Sequence, residues 1–397
     1  MVEIATIATF LVAAIASLFM AWAIGAGSSG STPFAPAVGA NAISVMRAGF
    51  LVGILGFAGA VLQGANVSEA VGAELIGGVT LSPLAATIAL LIAAGLVAIG
   101  VFKGYPIATA FTVTGAVIGV GLAMGGDPAW PKYIEIATLW ILTPFVGGGL
   151  AYAIARTLRA ELVAEEYLIV ALAAFVGMIV ANIEFAILGS AEAGGESIAE
   201  VAGGWLPVPT IAGIVVATAV IAALWALAIG FDLKQGTEQG ERHFLLILGG
   251  LVAFSAGGSQ VGLAVGPLIP LSGDIGLPLL ALLLGGGFGL LLGSWTGAPR
   301  MIKAISQDYS SLGPRRSIAA LIPSFIIAQA AVLYGIPVSF NEIIVSAIIG
   351  SGYAAAGAGG GVSGRKMGYT VLAWIGSLAG SIIISYVGYV VIFALIG

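Results

Sequence analysis

The chain has no cysteine and a single histidine, His243. Disulfides, thiolate metal sites, cysteine nucleophiles and histidine-rich metal centres are therefore excluded. Charge is almost as scarce. Thirteen Lys or Arg and eighteen Asp or Glu make up 8% of 397 residues, against about 25% in a soluble domain. A soluble fold of this length needs a charged skin, and these side chains cannot supply one. The net charge is −5, and no basic patch is available to hold nucleic acid. HExxH and GxSxG motifs are missing too. The glycine run Gly359-Gly360-Gly361-Val362-Ser363-Gly364-Arg365 lacks the Gly-Lys of a P-loop. The chain therefore does not read as an enzyme.

What is abundant is apolar or small: 60% hydrophobic residues and 61 glycines. Runs of about 20 apolar residues match a bilayer crossing. Twelve occur, at 4–24, 47–66, 83–102, 105–125, 134–155, 167–190, 208–231, 243–258, 277–295, 317–334, 338–357 and 369–396. The chain reads as an all-α integral membrane protein set in a lipid bilayer. The first run has no basic segment before it and reads as a membrane helix, not a cleaved leader. Two stretches, 26–45 and 259–275, are broken by Gly, Ser and Pro. Such backbone survives at membrane depth only when buried in protein or lining a cavity, so both read as re-entrant or discontinuous segments.

Basic residues mark the inner side of a membrane. Arg156, Arg159, Lys234, Arg242, Arg300, Lys303, Arg315, Arg316, Arg365 and Lys366 set that side here. Loop 191–207 carries Glu192, Glu196 and Glu200 with no basic residue, and is expected outside. Counting crossings from these anchors puts Arg47 and Lys103 inside and both termini outside the cell membrane. Lys132 is the one misfit.

The chain repeats itself. Gly27-Ser28-Ser29 aligns with Gly258-Ser259-Gln260, and Pro36 with Pro267, at an offset of 231. The same offset aligns Gly104-Tyr105-Pro106-Ile107 with Gly335-Ile336-Pro337-Val338, and continues through Gly121 and Gly352. Lys132 and Trp140 match Lys366 and Trp374 at an offset of 234. One offset held across separate blocks indicates duplication. The organisation expected is a first membrane repeat at 1–160, linking segments at 161–240 and a second, inverted repeat at 241–397. Inverted repeats with broken helices are a transporter architecture, with the site where the breaks meet.

These motifs resemble the inorganic phosphate transporter (PiT) family over nearly the whole chain. Gly257-Gly258-Ser259-Gln260-Val261-Gly262-Leu263-Ala264-Val265-Gly266-Pro267 is similar to the family's repeated GANDVAN motif and the Gly-Pro after it. Ala26-Gly27-Ser28-Ser29-Gly30-Ser31-Thr32-Pro33 is the degenerate first copy. Gly64-Ala65-Asn66-Val67-Ser68-Glu69 and the Pro106 and Pro337 elements resemble further family stretches. The resemblance implies a secondary transporter of inorganic phosphate working by ion-coupled alternating access, with sodium or a proton as coupling ion. The departures are specific. Ser28-Ser29 and Ser259-Gln260 stand where the family has Asn-Asp, so both aspartates are gone. Phe111 and Glu342 stand where it has histidine. Sulfate permeases of the family have similarly degenerate motifs, which makes sulfate the alternative substrate. An anion channel is a third reading.

Hydroxyls and free amides at a helix N-terminus are donors suited to an oxyanion. The candidate anion-binding residues are Ser28, Ser29, Ser31, Thr32, Ser259 and Gln260, with Thr109 and Ser339 after the two Pro elements. Carboxylates within a membrane are costly and mark function, so Glu69 and Glu342 are the candidates for ion coupling. Gly285, Gly289 and Gly293 form a small-residue stripe for helix packing, and glycine stripes of this kind are compatible with a homo-oligomer.

Overall fold

The computed structural model describes residues 4–160, 163–189, 195–309, 311–354 and 363–396. Glu192 and the glycine run at 359–362 lie outside the described residues. The first part of the chain folds into α1 (Ile4–Gly27), α2 (Ala35–Gly39), α3 (Val45–Gln63), α4 (Ala65–Ala73), α5 (Pro83–Lys103), α6 (Thr109–Ala123) and α7 (Trp130–Arg159). Three helices follow: α8 (Glu165–Ala181), α9 (Ile198–Gly204) and α10 (Thr210–Gln235). The last part comprises α11 (Thr237–Val265), a 3₁₀ turn at Gly266–Leu268, α12 (Ile269–Ile275), α13 (Leu279–Thr296), α14 (Ala298–Asp308), α15 (Pro314–Leu333), α16 (Phe340–Tyr353) and α17 (Gly364–Ile396). Among the described residues, sheet is limited to two short antiparallel pairs, β1 (Ile76–Gly77) with β2 (Asp127–Pro128) and β3 (Glu184–Phe185) with β4 (Glu196–Ser197).

Nine helices among the described residues are long and apolar enough to cross a membrane, against the twelve expected. The difference is α6, α8 and α16, of 15, 17 and 14 residues. At 1.5 Å per residue, α6 and α16 reach only about 21–22 Å, well short of a ~30 Å hydrocarbon core. Each is preceded by its Pro element, which runs without regular structure into the buried interior. Proline has no N–H to give and disfavours helix at the residue before it. Hydropathy alone does not distinguish such an extended apolar entry from a helix.

A second correction concerns the broken stretch expected at 259–275. The chain stays α-helical through Ser259 and Gln260 to Val265, and the irregularity falls at Gly266–Leu268. The glycines before Ser259 serve packing. A Cβ on Gly257 would lie 1.8 Å from the carbonyl oxygen of Gly56, so α11 and α3 touch backbone to backbone there. The break after α1 is real: Ser28–Phe34 carries turns between α1 and α2.

The offset of 231 recurs in the packing. α1 packs on α13 as α11 packs on α3, and α1 on α5 as α11 on α15. Similarly α17 packs on α6 as α7 packs on α16. The tryptophans make the exchange atomic. Trp140 Nε1 donates to the Pro337 carbonyl and Trp374 Nε1 to the Pro106 carbonyl, each at 2.8 Å. Each repeat thus supplies the donor for the extended backbone of the other, in a two-fold relationship. Gly289 and Gly293 of the stripe lie against Ala21 and Trp22 of α1, within the chain, while Gly285 meets nothing.

Lys132, the charge misfit, is neutralised where it stands: Glu74 lies 2.9 Å away and Glu135 3.3 Å away. His243 pairs with Asp232 at 2.6 Å between α10 and α11.

Replacing Trp140 or Trp374 by phenylalanine leaves a buried carbonyl without its donor, at a cost of about 1–3 kcal/mol. Thermal unfolding in detergent should shift down in both variants by similar amounts, because the two bonds are repeat-related. Unchanged midpoints would show that these bonds do not hold the halves.

Candidate functional site

The break after α1 closes on one carbonyl. Pro33 cannot continue the helix and the residues before it fold back. The amides of Ser31 and Thr32 each donate to Ser28 O at 3.0 Å. Their hydroxyls donate to the same oxygen, at 3.2 and 3.0 Å. A hydroxyl has one hydrogen to give, so in this state Ser31 and Thr32 hold the turn.

Ser28 reaches the other repeat. Gln260 Oε1 accepts from Thr109 Oγ1 at 2.7 Å and from Ser28 Oγ at 3.3 Å, and the two hydroxyls lie 3.3 Å apart. Gln260 Nε2 donates to the carbonyl of Val338, the residue before Ser339. One amide therefore joins the break after α1, the first residue of α6 and the entry to α16. All four side chains, Ser28, Thr109, Gln260 and Ser339, are fully buried.

Around this junction, buried oxygens lack partners. They are Ser29 Oγ, Ser259 Oγ, Ser339 Oγ, Asn341 Oδ1 and Glu342 Oε2, with Thr114 Oγ1 further along α6. Buried polar groups are nearly always hydrogen-bonded. The exceptions cluster at the end of α1, on α11 and in the first turn of α16. Asn341 fixes the junction from the α16 side, with Nδ2 donating to Gly27 O at 2.9 Å and Ile107 O at 2.6 Å. Glu342 is 3% exposed and is the sole carboxylate buried to that degree among the described residues.

Ser339 and Glu342 have the S-x-x-E spacing of a capping box. At the start of α9, Ser197 and Glu200 close such a box fully, at 3.1 and 2.7 Å. At α16 the Ser339 side chain makes no cap bond, and both side chains present an unpartnered oxygen. The first turn of α16 thus keeps its backbone donors and these side chains uncommitted.

A cleft of about 830 Å³ opens beside this core. Its polar lining includes Gln63, Asn66, Glu69, Asn182, Glu184 and Gln329. Gln63 donates to Glu184 O at 2.9 Å, and Gln329 donates to Ser255 Oγ at 2.6 Å. Ser255 stands one helical turn before Ser259 on α11. The cleft lies at the far ends of α8 and α15 from Arg315, which is paired with Glu165 at 2.5 Å. Glu69 is exposed on the cleft wall, so the two candidate coupling carboxylates sit apart: Glu69 on the cleft, Glu342 in the core.

Sequence reasoning named Ser28, Thr109, Gln260 and Ser339, which come together, and Ser29 and Ser259, which are left unpartnered beside them. It missed Asn341, whose signal was present: a polar residue in the first turn after a Pro element, inside an S-x-x-E frame. Gln63 and Gln329, uncharged in apolar helices, were missed as well.

The phosphate transporter family matches residues 24–385. A putative phosphate permease of Pyrococcus furiosus is 27% identical over 355 residues, covering 84% of this chain and 85% of the relative. The chloroplastic inorganic phosphate transporter 2-1 of Arabidopsis thaliana is 25% identical over 386 residues, covering 85% of this chain and 64% of the relative. A solved structure of a sodium-dependent phosphate transporter superposes with a TM-score of 0.79 at 22% identity, covering 98% of this chain and 99% of that one. That likeness shows a shared fold.

An unpartnered hydroxyl has no bond to lose. Ser29→Ala and Ser259→Ala should therefore leave thermal stability unchanged or slightly raised. Thr109→Val removes a made bond and should destabilise by about 1 kcal/mol. Marked destabilisation by Ser259→Ala in an unfolding scan would show that its hydroxyl is already engaged.

Proposed function

Because the chain belongs to the phosphate transporter family, we propose that it carries inorganic phosphate across a cell membrane by alternating access. The anion sits between the break after α1 and the first turns of α6 and α16. Ser28, Ser29, Ser31, Thr32, Thr109, Ser259, Gln260 and Ser339 form its surroundings. The observation that carries this reading is the set of unpartnered buried oxygens beside two repeat-related helix N-termini. Helix N-termini attract an anion through partial charges and free amides. No Lys, Arg or His is buried among the described residues, so no fixed positive charge would trap the anion, and release on the far side stays possible.

In this mechanism the two units, 1–160 and 241–397, are interleaved, helices of each packing on helices of the other, and 161–240 links them. The reciprocal tryptophan bonds support a pivot between the units. The cleft supports access from one side, and the Arg315–Glu165 pair supports closure at the other. With the arginine side inside, the cleft faces out, as do both termini. Transport against a gradient needs a coupling ion. The structural neighbour is described as sodium-dependent, which supports sodium, with a proton as the other candidate. Glu69 and Glu342 are the carboxylates available for that step.

Labelled phosphate uptake into proteoliposomes, with and without sodium or pH gradients, tests the proposal. Wild type should accumulate phosphate under one of the gradients. Ser28→Leu and Ser259→Leu should abolish uptake while the protein still inserts and elutes as a folded species. Wild-type uptake in either variant would remove the site, and no uptake by folded wild type would remove the function.

A further inference from the structure

We propose that Gln63 and Gln329 form an outer binding station for the substrate oxyanion, at the floor of the cleft. Their paired amides part, each gives the anion one N–H, and the anion passes on to the junction at Ser259. The inference rests on the phosphate reading above and names where the anion is first held.

The orientation of both amides follows from their neighbours. The backbone oxygen of Glu184 can only accept, so the nitrogen of Gln63 faces it, at 2.9 Å. Ser255 Oγ donates its one hydrogen to Leu251 O at 2.8 Å, so toward Gln329 it can only accept, and Gln329 Nε2 lies 2.6 Å from it. With both nitrogens fixed, the second N–H of each amide turns to the oxygen of the other. Gln63 Nε2 lies 3.5 Å from Gln329 Oε1, and Gln329 Nε2 lies 3.3 Å from Gln63 Oε1. Both exceed the ~2.7–3.2 Å of an ordinary N–H···O bond. The anchoring bonds are short and the mutual bonds long, so the pair can part with its anchors intact.

The pair stands between the cleft and the buried junction. Both glutamines line the cleft. Behind them runs α11. A Cβ on Gly258, the residue before Ser259, would lie 2.9 Å from the Cβ of Gln63, and Ser255 stands one turn before Ser259. Gln63 is 8% exposed, while Ser255 and Ser259 are fully buried. An anion leaving the cleft for Ser259 therefore meets the two amides first. Amide N–H groups donate to an oxyanion without bringing a charge that would hold it there. Among the described residues no Lys, Arg or His lines the cleft. Its carboxylates, Glu69 and Glu184, are exposed, where water and salt screen their repulsion of an anion.

The station is one-sided. At the offset of 231, Gln63 corresponds to Ser294 and Gln329 to Ala98. Ser294 Oγ donates to Leu290 O of its own helix, at 2.8 Å, and the alanine side chain has no donor. The repeat-related position therefore lacks a paired-amide floor. An anion arriving from the cleft gives up its water in two stages, and one leaving by the opposite side is not held a second time.

Replacing either glutamine by methionine keeps most of the volume and removes the N–H donors. In proteoliposomes, Gln63→Met and Gln329→Met should each raise the phosphate concentration for half-maximal uptake about tenfold, the loss of one hydrogen bond to a charged group. The maximal rate should change less. The double variant should add little to the singles, because the two amides hold one anion. Unchanged half-saturation in the folded variants would overturn the assignment, and a maximal rate that rises at the same time would show that the pair only closes the cleft. The chain has no cysteine, so the thiol of Gln329→Cys is unique. Phosphate at ten times its half-saturating concentration for that variant should slow labelling by a membrane-impermeant thiol reagent about tenfold. Labelling indifferent to phosphate, in a variant that still takes phosphate up, would also overturn the assignment. No phosphate uptake by folded wild type would instead remove the reading on which the station rests.

Discussion

Two stretches of extended backbone, around Pro106 and Pro337, enter the apolar interior, where each carbonyl left without a partner is costly. Their partners cannot come from their own helices, because proline interrupts the ladder. Each is met instead by a tryptophan from the opposite repeat, Trp374 for Pro106 and Trp140 for Pro337. Much of the architecture follows from this exchange. It brings α7 onto α16 and α17 onto α6, and it sets the starts of two short helices deep inside the protein. A helix beginning there points amide donors at the interior, where an ordinary spanning helix would present none.

The glycines serve the same geometry. Where α3 and α11 cross, Gly59 and Gly257 leave no room for a side chain between the backbones. This contact places Ser259 and Gln260 against the break after α1. Gln260 then acts as the joint between the halves, its oxygen taking bonds from the first repeat and its nitrogen giving one to the second. Gln260 is thus a linking group. It holds this junction together at no cost in buried charge.

The start of α16 and the start of α9 show what context does to one sequence pattern. Ser197 and Glu200 satisfy their helix end, since nothing else competes for them. Ser339 and Glu342 have the same spacing and leave oxygens unpartnered in the core. Leaving polar groups unpartnered in a low-dielectric interior is unfavourable, and a site that must bind and release a polar ligand is where such a cost is tolerated. The buried uncommitted groups gather at this junction, apart from Thr114 further along α6.

The amino-acid sequence by itself determined that the chain lives in a membrane, that it is duplicated at an offset of 231, and that polar residues gather at the Ser28 break and after the two Pro elements. These are matters of composition and spacing, which local physics reads directly. It did not determine the number of full crossings, because an extended apolar entry such as 104–108 has the hydropathy of a helix. It placed the second irregularity within 259–275 but did not narrow it to Gly266–Leu268, since glycine serves helix contact as readily as a helix break. Which hydroxyls are engaged, as at Ser31 and Thr32, and which are free, as at Ser29 and Ser259, was decided only by the tertiary fold. So was the role of Asn341, whose amide is oriented by two carbonyls more than 230 residues away in the chain. Hydrogen-bond partners across that distance exist only once the two repeats have closed on each other.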